Sequence, residues 1–96
     1  MSKLLGLDYG EKRIGMAISD DQKRMAVGID VLNNIDETTT VAYLKNFCQR
    51  EEIEKIVVGL PLNLAGQETA KTIEAQKFGI GLEETLNIPL SFRMSA

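Results

Sequence analysis

Residues 6–17 read GLDYGEKRIGMA, in which a short apolar segment ends at Asp8 and the chain returns after a glycine turn. The apolar run from Lys3 to Leu7 is closed by this turn, a pattern typical of a buried strand. From Arg13 to Ser19, apolar side chains occupy every second position, as in a half-buried strand. The stretch therefore predicts a β-hairpin that carries an aspartate at the end of its first strand.

A third strand and a first helix are predicted after the hairpin. Val27, Ile29 and Val31 alternate with small or polar residues, which predicts an antiparallel meander with the hairpin. From Asp36 the apolar period changes to that of a helix, and Asp36 or a following threonine can cap it. The residues that share one helical face are Val41, Leu44, Phe47 and Cys48. We expect this face to pack against the sheet and to bury the thiol.

Two further strands and a second helix complete the pattern. The run from Lys55 to Leu60 is apolar on both faces, as in a central parallel strand, and Pro61 ends it. A helix is predicted over about 67–86, with two glycines that are expected to fray or break it. Leu90 to Met94 is predicted as a fifth strand. The order β-β-β-α-β-α-β indicates an α/β fold, a mixed sheet of about five strands with helices packed on it.

The composition is that of a small globular domain, with 96 residues, 44% hydrophobic and 26% charged. We expect residues 1–96 to form a single domain. The absence of histidine excludes histidine acid–base chemistry, and a lone cysteine excludes an intramolecular disulfide and a multi-cysteine zinc site. The net charge of −3 argues against a broad basic surface for nucleic acid but leaves room for a local patch. No apolar run is long enough for a membrane span and no signal peptide is visible, so the sequence predicts a cytoplasmic chain without membrane contact.

Asp8 is the candidate centre of a functional site. An aspartate at the carboxyl end of a buried strand lies at the sheet edge where α/β proteins bind ligands, and its oxygens suit a hard divalent cation. Gly10 allows a tight turn, after which Lys12 and Arg13 return beside the carboxylate, where they could contact a phosphate. The alternative is a plain hairpin turn with solvated charges.

A second candidate segment is VVGLPLNLAG at residues 57–66, where a buried strand runs into an extended loop. Gly59 would allow close approach of a ligand or another backbone, and Asn63 could donate a hydrogen bond to a phosphate or a sugar. Leu62 and Leu64 are apolar residues in a loop. The alternative interpretation is that these leucines only fill the core beneath it.

Together the two segments resemble the YqgF/RuvX-like family. Its members open with the pattern G-x-D-x-G-x-K-R-x-G-x-A and carry V-G-L-P-L-N-x-x-G further along, and this sequence matches these patterns at residues 6–17 and 58–66. The resemblance covers the chain up to Pro89 and implies a ribonuclease-H-like fold. It also implies an endonuclease assigned to 5′-end processing of precursor 16S ribosomal RNA and proposed earlier as a Holliday-junction resolvase.

The resemblance implies roles for individual residues. Asp8 is implied as the catalytic carboxylate and as a ligand of Mg²⁺ or Mn²⁺, and the contacts to nucleic acid are Lys12, Arg13 and Asn63. The residues expected to shape the site are Gly6, Gly10, Gly15, Gly59, Pro61 and Gly66. The implied partners are structured RNA, such as precursor ribosomal RNA, or branched DNA.

The end of the sequence departs from the family pattern. Family members continue past the fifth strand with an Asp-Glu-Arg motif, further helices and a late Asp. Without gaps, Met94 and Ser95 stand where the acidic pair is expected, and with a short deletion residues 93–95 match the tail of the motif, so the acidic pair is missing in either alignment. Two-metal hydrolysis needs several carboxylates, and Glu11 and Glu68 are the candidate substitutes. We therefore expect a C-terminally truncated domain that lacks the family's final helices and pairs as a homodimer through its uncovered sheet.

Two other functions stay open at the level of the sequence. The missing carboxylates favour a non-catalytic fragment that binds nucleic acid or assembles with other chains. The Asp-x-Gly hairpin is also shared with the nucleotide-binding sugar kinases and actin, although those proteins need a second lobe to close on the nucleotide.

Overall fold

Five strands and two helices form the structure, a computed structural model that describes residues 3–19, 30–34 and 36–95. The elements are β1 (Lys3–Asp8), β2 (Arg13–Ile18), β3 (Asp30–Asn33), α1 (Glu37–Arg50), β4 (Ile53–Pro61), α2 (Ala70–Leu86) and β5 (Leu90–Ser95). The predicted order is confirmed. Of the residues that predicted the third strand, Val31 lies in β3, while Val27 and Ile29 fall outside the described residues.

The strands form a single mixed sheet in the order β3-β2-β1-β4-β5. The first three strands pair antiparallel as a meander, and β4 pairs parallel with both β1 and β5. The meander follows from short turns, whereas each parallel pairing requires a crossover helix, supplied here by α1 and α2. The fold is therefore the predicted mixed α/β sheet.

The hydrophobic core lies on one face of the sheet, because the buried strand residues alternate with exposed or half-buried ones. Both helices contribute to this core and so cover the same face. The core residues from the strands and helices are Leu5, Leu7, Ile14, Met16, Leu44, Phe47, Cys48, Ile53, Ile56, Val58, Phe78 and Leu82. β4 lies between two parallel neighbours, as predicted, and Val57 and Gly59 on its other face are half-buried.

Helix α1 begins where the sequence predicts. The side chain of Asp36 accepts hydrogen bonds from the backbone N–H of Thr39 at 2.7 Å and from its hydroxyl at 2.9 Å. These bonds lower the pKa of Asp36 below its ordinary value. The helix packs Leu44, Phe47 and Cys48 into the core, and burial raises the pKa of the Cys48 thiol to about 11, so this cysteine is protonated at neutral pH and inert.

Helix α2 is continuous over its two glycines, contrary to the expected break. Gly79 is buried against β5, and a Cβ atom there would lie 2.5 Å from the ring of Phe92. Glycine at this position therefore allows the helix and the last strand to approach closely, and packing offsets its poor helix propensity. The helix begins at Ala70, later than predicted, and ends at Leu86, where Asn87 caps it with a left-handed backbone whose N–H donates to the carbonyl of Glu83. Neither described helix is long and apolar enough to cross a membrane.

Candidate functional site

Asp8 lies on the sheet face opposite the helices, with a glycine on each side. It is the last residue of β1, it is exposed, and it pairs with Gly15 on β2 and with Gly59 on β4. Because directly paired residues share a face of the sheet, neither neighbouring strand places a side chain beside the carboxylate. A Cβ atom at Gly15 would meet the Cβ of Asp8 at 3.5 Å. The oxygens of Asp8 are therefore accessible from both sides.

The open face carries a cavity of about 540 Å³ with Asp8 on its rim. Its floor consists of small and aliphatic side chains from the three central strands, namely Leu4, Gly6, Ala17 and Val57. In the register, Gly6 pairs with both Ala17 and Val57, so the smallest residue lies at the middle of the floor. Gly6 and Gly15 both lie on this face, and their role in shaping a binding site stays a prediction.

Arg93 is a candidate site residue that the sequence analysis did not place in the site. It pairs with Gly59 on β4, which places it in the same row as Asp8, about 10 Å away across two strand spacings. Both residues line the open-face cavity. The sequence signal for this position is the alternation of Leu90 and Phe92 with Ser91 and Arg93. Since Leu90 and Phe92 face Gly79 of α2, Arg93 lies on the opposite face of the sheet. A carboxylate and a guanidinium therefore flank Gly59.

The turn between β1 and β2 holds the cations beside Asp8. Arg13 precedes Gly15 by two positions on β2, so it shares the open face, and Lys12 lies in the turn itself; both are exposed. A Cβ atom at Gly10 would lie 2.5 Å from the carbonyl oxygen of Arg13, so the turn requires glycine. The structure therefore brings both predicted cations and the aspartate to one hairpin.

Asn34, after β3, fastens this turn to helix α1, a role that the sequence analysis missed. Its Nδ2 donates to the carbonyl of Gly10 at 3.2 Å, and its backbone N–H donates to the carbonyl of Lys12 at 2.8 Å. Its Oδ1 accepts from the hydroxyl of Thr40 at 3.0 Å, and Thr40 is buried. Asparagine supplies the donor and the acceptor that these contacts need.

Tyr9 points away from the open face. Its ring packs against Phe78 of α2 with the centroids 4.8 Å apart, and it lies against the core cluster. The ring of Tyr9 therefore packs on the helix-covered side of the sheet and is not presented on the open face.

The loop after β4 is organised by Asn63. Its Oδ1 accepts from the backbone N–H groups of Ala65 and Gln67, both at 2.9 Å, and its Nδ2 donates to Oε1 of Gln67 at 3.3 Å. Gly66 has a φ of 76°, a left-handed conformation that favours glycine. Asn63, which we predicted to contact nucleic acid, thus has its side chain engaged within its own loop.

The two leucines of this loop have different environments. Leu62 is half-buried, in keeping with the interpretation that it fills space beneath the loop. Leu64 is fully exposed, at 109% of the reference area, so for Leu64 that interpretation is wrong. Pro61 is the last residue of β4, as predicted, and its carbonyl accepts a hydrogen bond from the buried hydroxyl of Thr72 in α2.

The site fits a divalent cation through one ligand. Asp8 presents an accessible carboxylate, and Mg²⁺ is commonly held by one or two carboxylates together with phosphate oxygens and water. Among the described residues, no group of three or more His, Cys, Asp or Glu side chains could hold a metal ion. Glu11 lines a separate cavity beside Tyr9 and Phe78, and Glu68 is exposed in the loop before α2. Neither completes a ligand set with Asp8.

A meander of three strands followed by two crossovers, with an aspartate at the end of the first strand, defines a ribonuclease-H-like α/β protein. The fold is similar to that of RuvC from T. thermophilus solved in complex with a Holliday junction substrate, with a TM-score of 0.66, 17% identity, and coverage of 98% of this chain and 65% of RuvC. A Bacteroides thetaiotaomicron protein with an actin-like ATPase fold is similar at a TM-score of 0.61, 8% identity, and coverage of 96% and 32%. At these identities the likenesses concern the fold alone.

Sequence similarity identifies the family to which this chain belongs. The model of the RuvX family, described as Holliday junction resolvase, matches residues 2–93, and the chain belongs to this family. A protein of Syntrophomonas wolfei named "Putative pre-16S rRNA nuclease" is 43% identical over 94% of this chain and 64% of its own length, and one of Koribacter versatilis with the same name is 38% identical over 92% and 58%. The chain spans less than two thirds of the length of these curated relatives.

Proposed function

We propose that this chain supplies the Asp8-bearing surface of a metal-dependent endonuclease that cuts structured nucleic acid, with 5′-end processing of precursor 16S ribosomal RNA as its reaction. The observation that carries the proposal is the exposed carboxylate of Asp8 between Gly15 and Gly59, beside the cations of its own hairpin. The names of the relatives, which refer to pre-16S rRNA, support RNA as the substrate.

Each charged residue of the site has a distinct task in this proposal. Asp8 would hold Mg²⁺ or Mn²⁺, and such an ion, when bound, would polarise a phosphoryl oxygen and lower the pKa of a coordinated water. Lys12 and Arg13 attract and orient the phosphate backbone, which contributes affinity but no sequence information. Arg93 lies across Gly59 from Asp8, where a guanidinium can form two parallel hydrogen bonds with a phosphate. The small residues between them leave room for a nucleic-acid backbone.

Two other activities have support in particular observations. The description of the family model favours branched DNA as the substrate of a Holliday-junction resolvase. In the part of the chain that the structure describes, no group of three or more potential metal ligands includes Asp8, which favours a chain that binds nucleic acid or assembles without cutting it. Each of these activities predicts a different result in one experiment. We propose a cytoplasmic location for the chain, and all of these activities are compatible with it.

The experiment compares two substrates, a 5′-labelled precursor 16S rRNA leader fragment and a four-way DNA junction, each with Mg²⁺ or Mn²⁺. We expect cleavage of the RNA that Asp8→Asn abolishes without loss of binding, because this isosteric change removes only the charge of the ligand. Glu84→Gln, which removes one charge from the exposed side of α2, is the matched control and should cleave normally. Binding without cleavage under either metal would establish the non-catalytic alternative, and cleavage of the junction alone would establish the resolvase.

We also propose that, when no nucleic acid is bound, two copies of the chain associate through the open sheet face, so that association and substrate binding compete for one surface. Its floor is apolar around Gly6 and Ala17, and Val31 is 58% exposed at the β3 side of this face. Surfaces of this kind associate in water to remove apolar area. Light scattering over a concentration series should detect a dimer, and Ala17→Arg should shift it to the monomer. A wild-type chain that stays monomeric at all concentrations contradicts this.

A further inference from the structure

Leu64 is the most exposed of the large apolar side chains that the structure describes, at 109% of the reference area. The next most exposed is Val31 at 58%. The neighbours of Leu64 on either side, Asn63 and Ala65, are exposed as well. Leu64 is therefore a solitary apolar projection and not part of an apolar patch of the size that a protein partner would need.

The loop that carries Leu64 is ordered by its own hydrogen bonds. Besides the three side-chain bonds of Asn63, the backbone N–H of Asn63 donates to the carbonyl of Gln67 at 3.0 Å. The N–H of Gly66 donates to the carbonyl of Asn63 at 2.9 Å. The projection is held in place before any ligand arrives, so binding through Leu64 orders little additional chain.

The position of the loop relates it to the candidate site. β1 and β4 are parallel, so their carboxyl ends meet at one edge of the sheet, and Asp8 pairs with Gly59 five residues before Leu64. Lys12 and Arg13 lie at the same edge, because β2 starts there. Glu68 is the only charged residue of the loop, so phosphates are expected at the hairpin cations and not at the loop itself.

We propose that Leu64 is an apolar wedge that inserts between adjacent bases of the nucleic-acid substrate, while the phosphate backbone of that substrate contacts Lys12 and Arg13. The inference rests on the proposed function and extends it to how the substrate is deformed. Leucine is among the side chains that proteins insert between base steps, which unstacks them and bends the helix. An aliphatic wedge of this kind recognises how easily a step opens and not which bases form it. Substrates with a weakened step, such as a junction or a bulge, would therefore be preferred.

The test measures base unstacking directly. An RNA hairpin with a bulge, labelled with 2-aminopurine at the bulge, is titrated with the chain, without divalent metal so that no cleavage intervenes. We expect the 2-aminopurine fluorescence to rise on binding, because the base loses its stacking partner. With Leu64→Ala the rise should disappear and Kd should increase by about tenfold, as loss of a buried leucine side chain implies.

Two controls distinguish the possible failures. Ile73→Ala truncates another exposed apolar residue, on α2, and should change neither the fluorescence nor Kd. Leu64→Met keeps a long apolar side chain and should keep the signal. If the wild-type chain binds the hairpin and Leu64→Ala leaves fluorescence and Kd unchanged, the wedge is wrong and the proposed function stands. If the wild-type chain binds no nucleic acid, the proposed function fails and the wedge fails with it.

Discussion

On the covered face of the sheet, the strands contribute leucine, isoleucine, valine and methionine side chains that are almost fully buried by α1 and α2. On the open face, the equivalent rows hold Gly6, Gly15, Ala17 and Gly59 around Asp8. The two faces thus differ in the size of their side chains. Large residues that fill space provide most of the stability, whereas small residues provide little burial but leave room for a ligand. Folding and function are therefore expected to depend on opposite faces of the same strands.

The largest expected difference between the two faces is the loss of unfolding free energy at two neighbouring valines of β4. Val58 is fully buried on the covered face, and Val57 is half-buried on the open face. Val58→Ala should reduce the free energy of unfolding by about 2 kcal/mol, because it removes two methyl groups and leaves a cavity. Val57→Ala should reduce it by less than about 1 kcal/mol. Urea unfolding of the two variants measures both values, and equal losses would show that the open face is buried in solution.

A second prediction concerns Asn34, which fastens the turn beside the open face to the helix on the covered face. Asn34→Ala leaves the carbonyl of Gly10 and the buried hydroxyl of Thr40 without this partner, at a cost of about 1–2 kcal/mol. Asn34→Asp keeps an acceptor for Thr40 but turns a negatively charged oxygen toward the carbonyl of Gly10, so its unfolding free energy should be no higher than that of Asn34→Ala. A denaturant series tests this order. An alanine variant as stable as the wild type would mean that water replaces both bonds without loss.

The two glycines of α2, Gly79 and Gly81, test the packing of the covered face, because only Gly79 faces the sheet. A Cβ atom at Gly81 would lie 3.8 Å from Oε1 of Glu37, an ordinary van der Waals contact, whereas at Gly79 it would collide with the ring of Phe92. Gly81→Ala should raise the unfolding free energy by about 0.8–1 kcal/mol through helix propensity. Gly79→Ala makes the same gain but must displace the ring, so its unfolding free energy should lie below that of Gly81→Ala. Thermal unfolding of the two variants measures this difference, and equal unfolding free energies would mean that the ring of Phe92 moves aside at no cost.

The sequence predicts one of these faces much better than the other. Alternation around Ile14 and Met16 identifies the covered face, because burial of large apolar residues leaves a periodic signal. Arg93 and Asn34 were missed, because their roles depend on which strands become neighbours and on hydrogen bonds across 24 residues of chain. Gly79 was misjudged for the same reason, since its contact with Phe92 is formed only when the helix packs on β5.

The smallest expected effect is a pH dependence at the start of α1, on the covered side. Hydrogen bonds from Thr39 lower the pKa of Asp36 in the folded chain below the ordinary value of 3.8. The carboxylate therefore stabilises the fold above that pH, and its contribution is lost as the pH falls through 3.8 toward the lower folded-state pKa. Asp36→Asn keeps an amide oxygen as helix cap but carries no titrating group. Urea midpoints measured between about pH 5 and pH 3 should fall slightly more steeply for the wild type than for this variant. Because Asp36 is exposed, the difference should shrink in high salt, and identical slopes at low salt would mean that the cap contributes no charge-dependent stability.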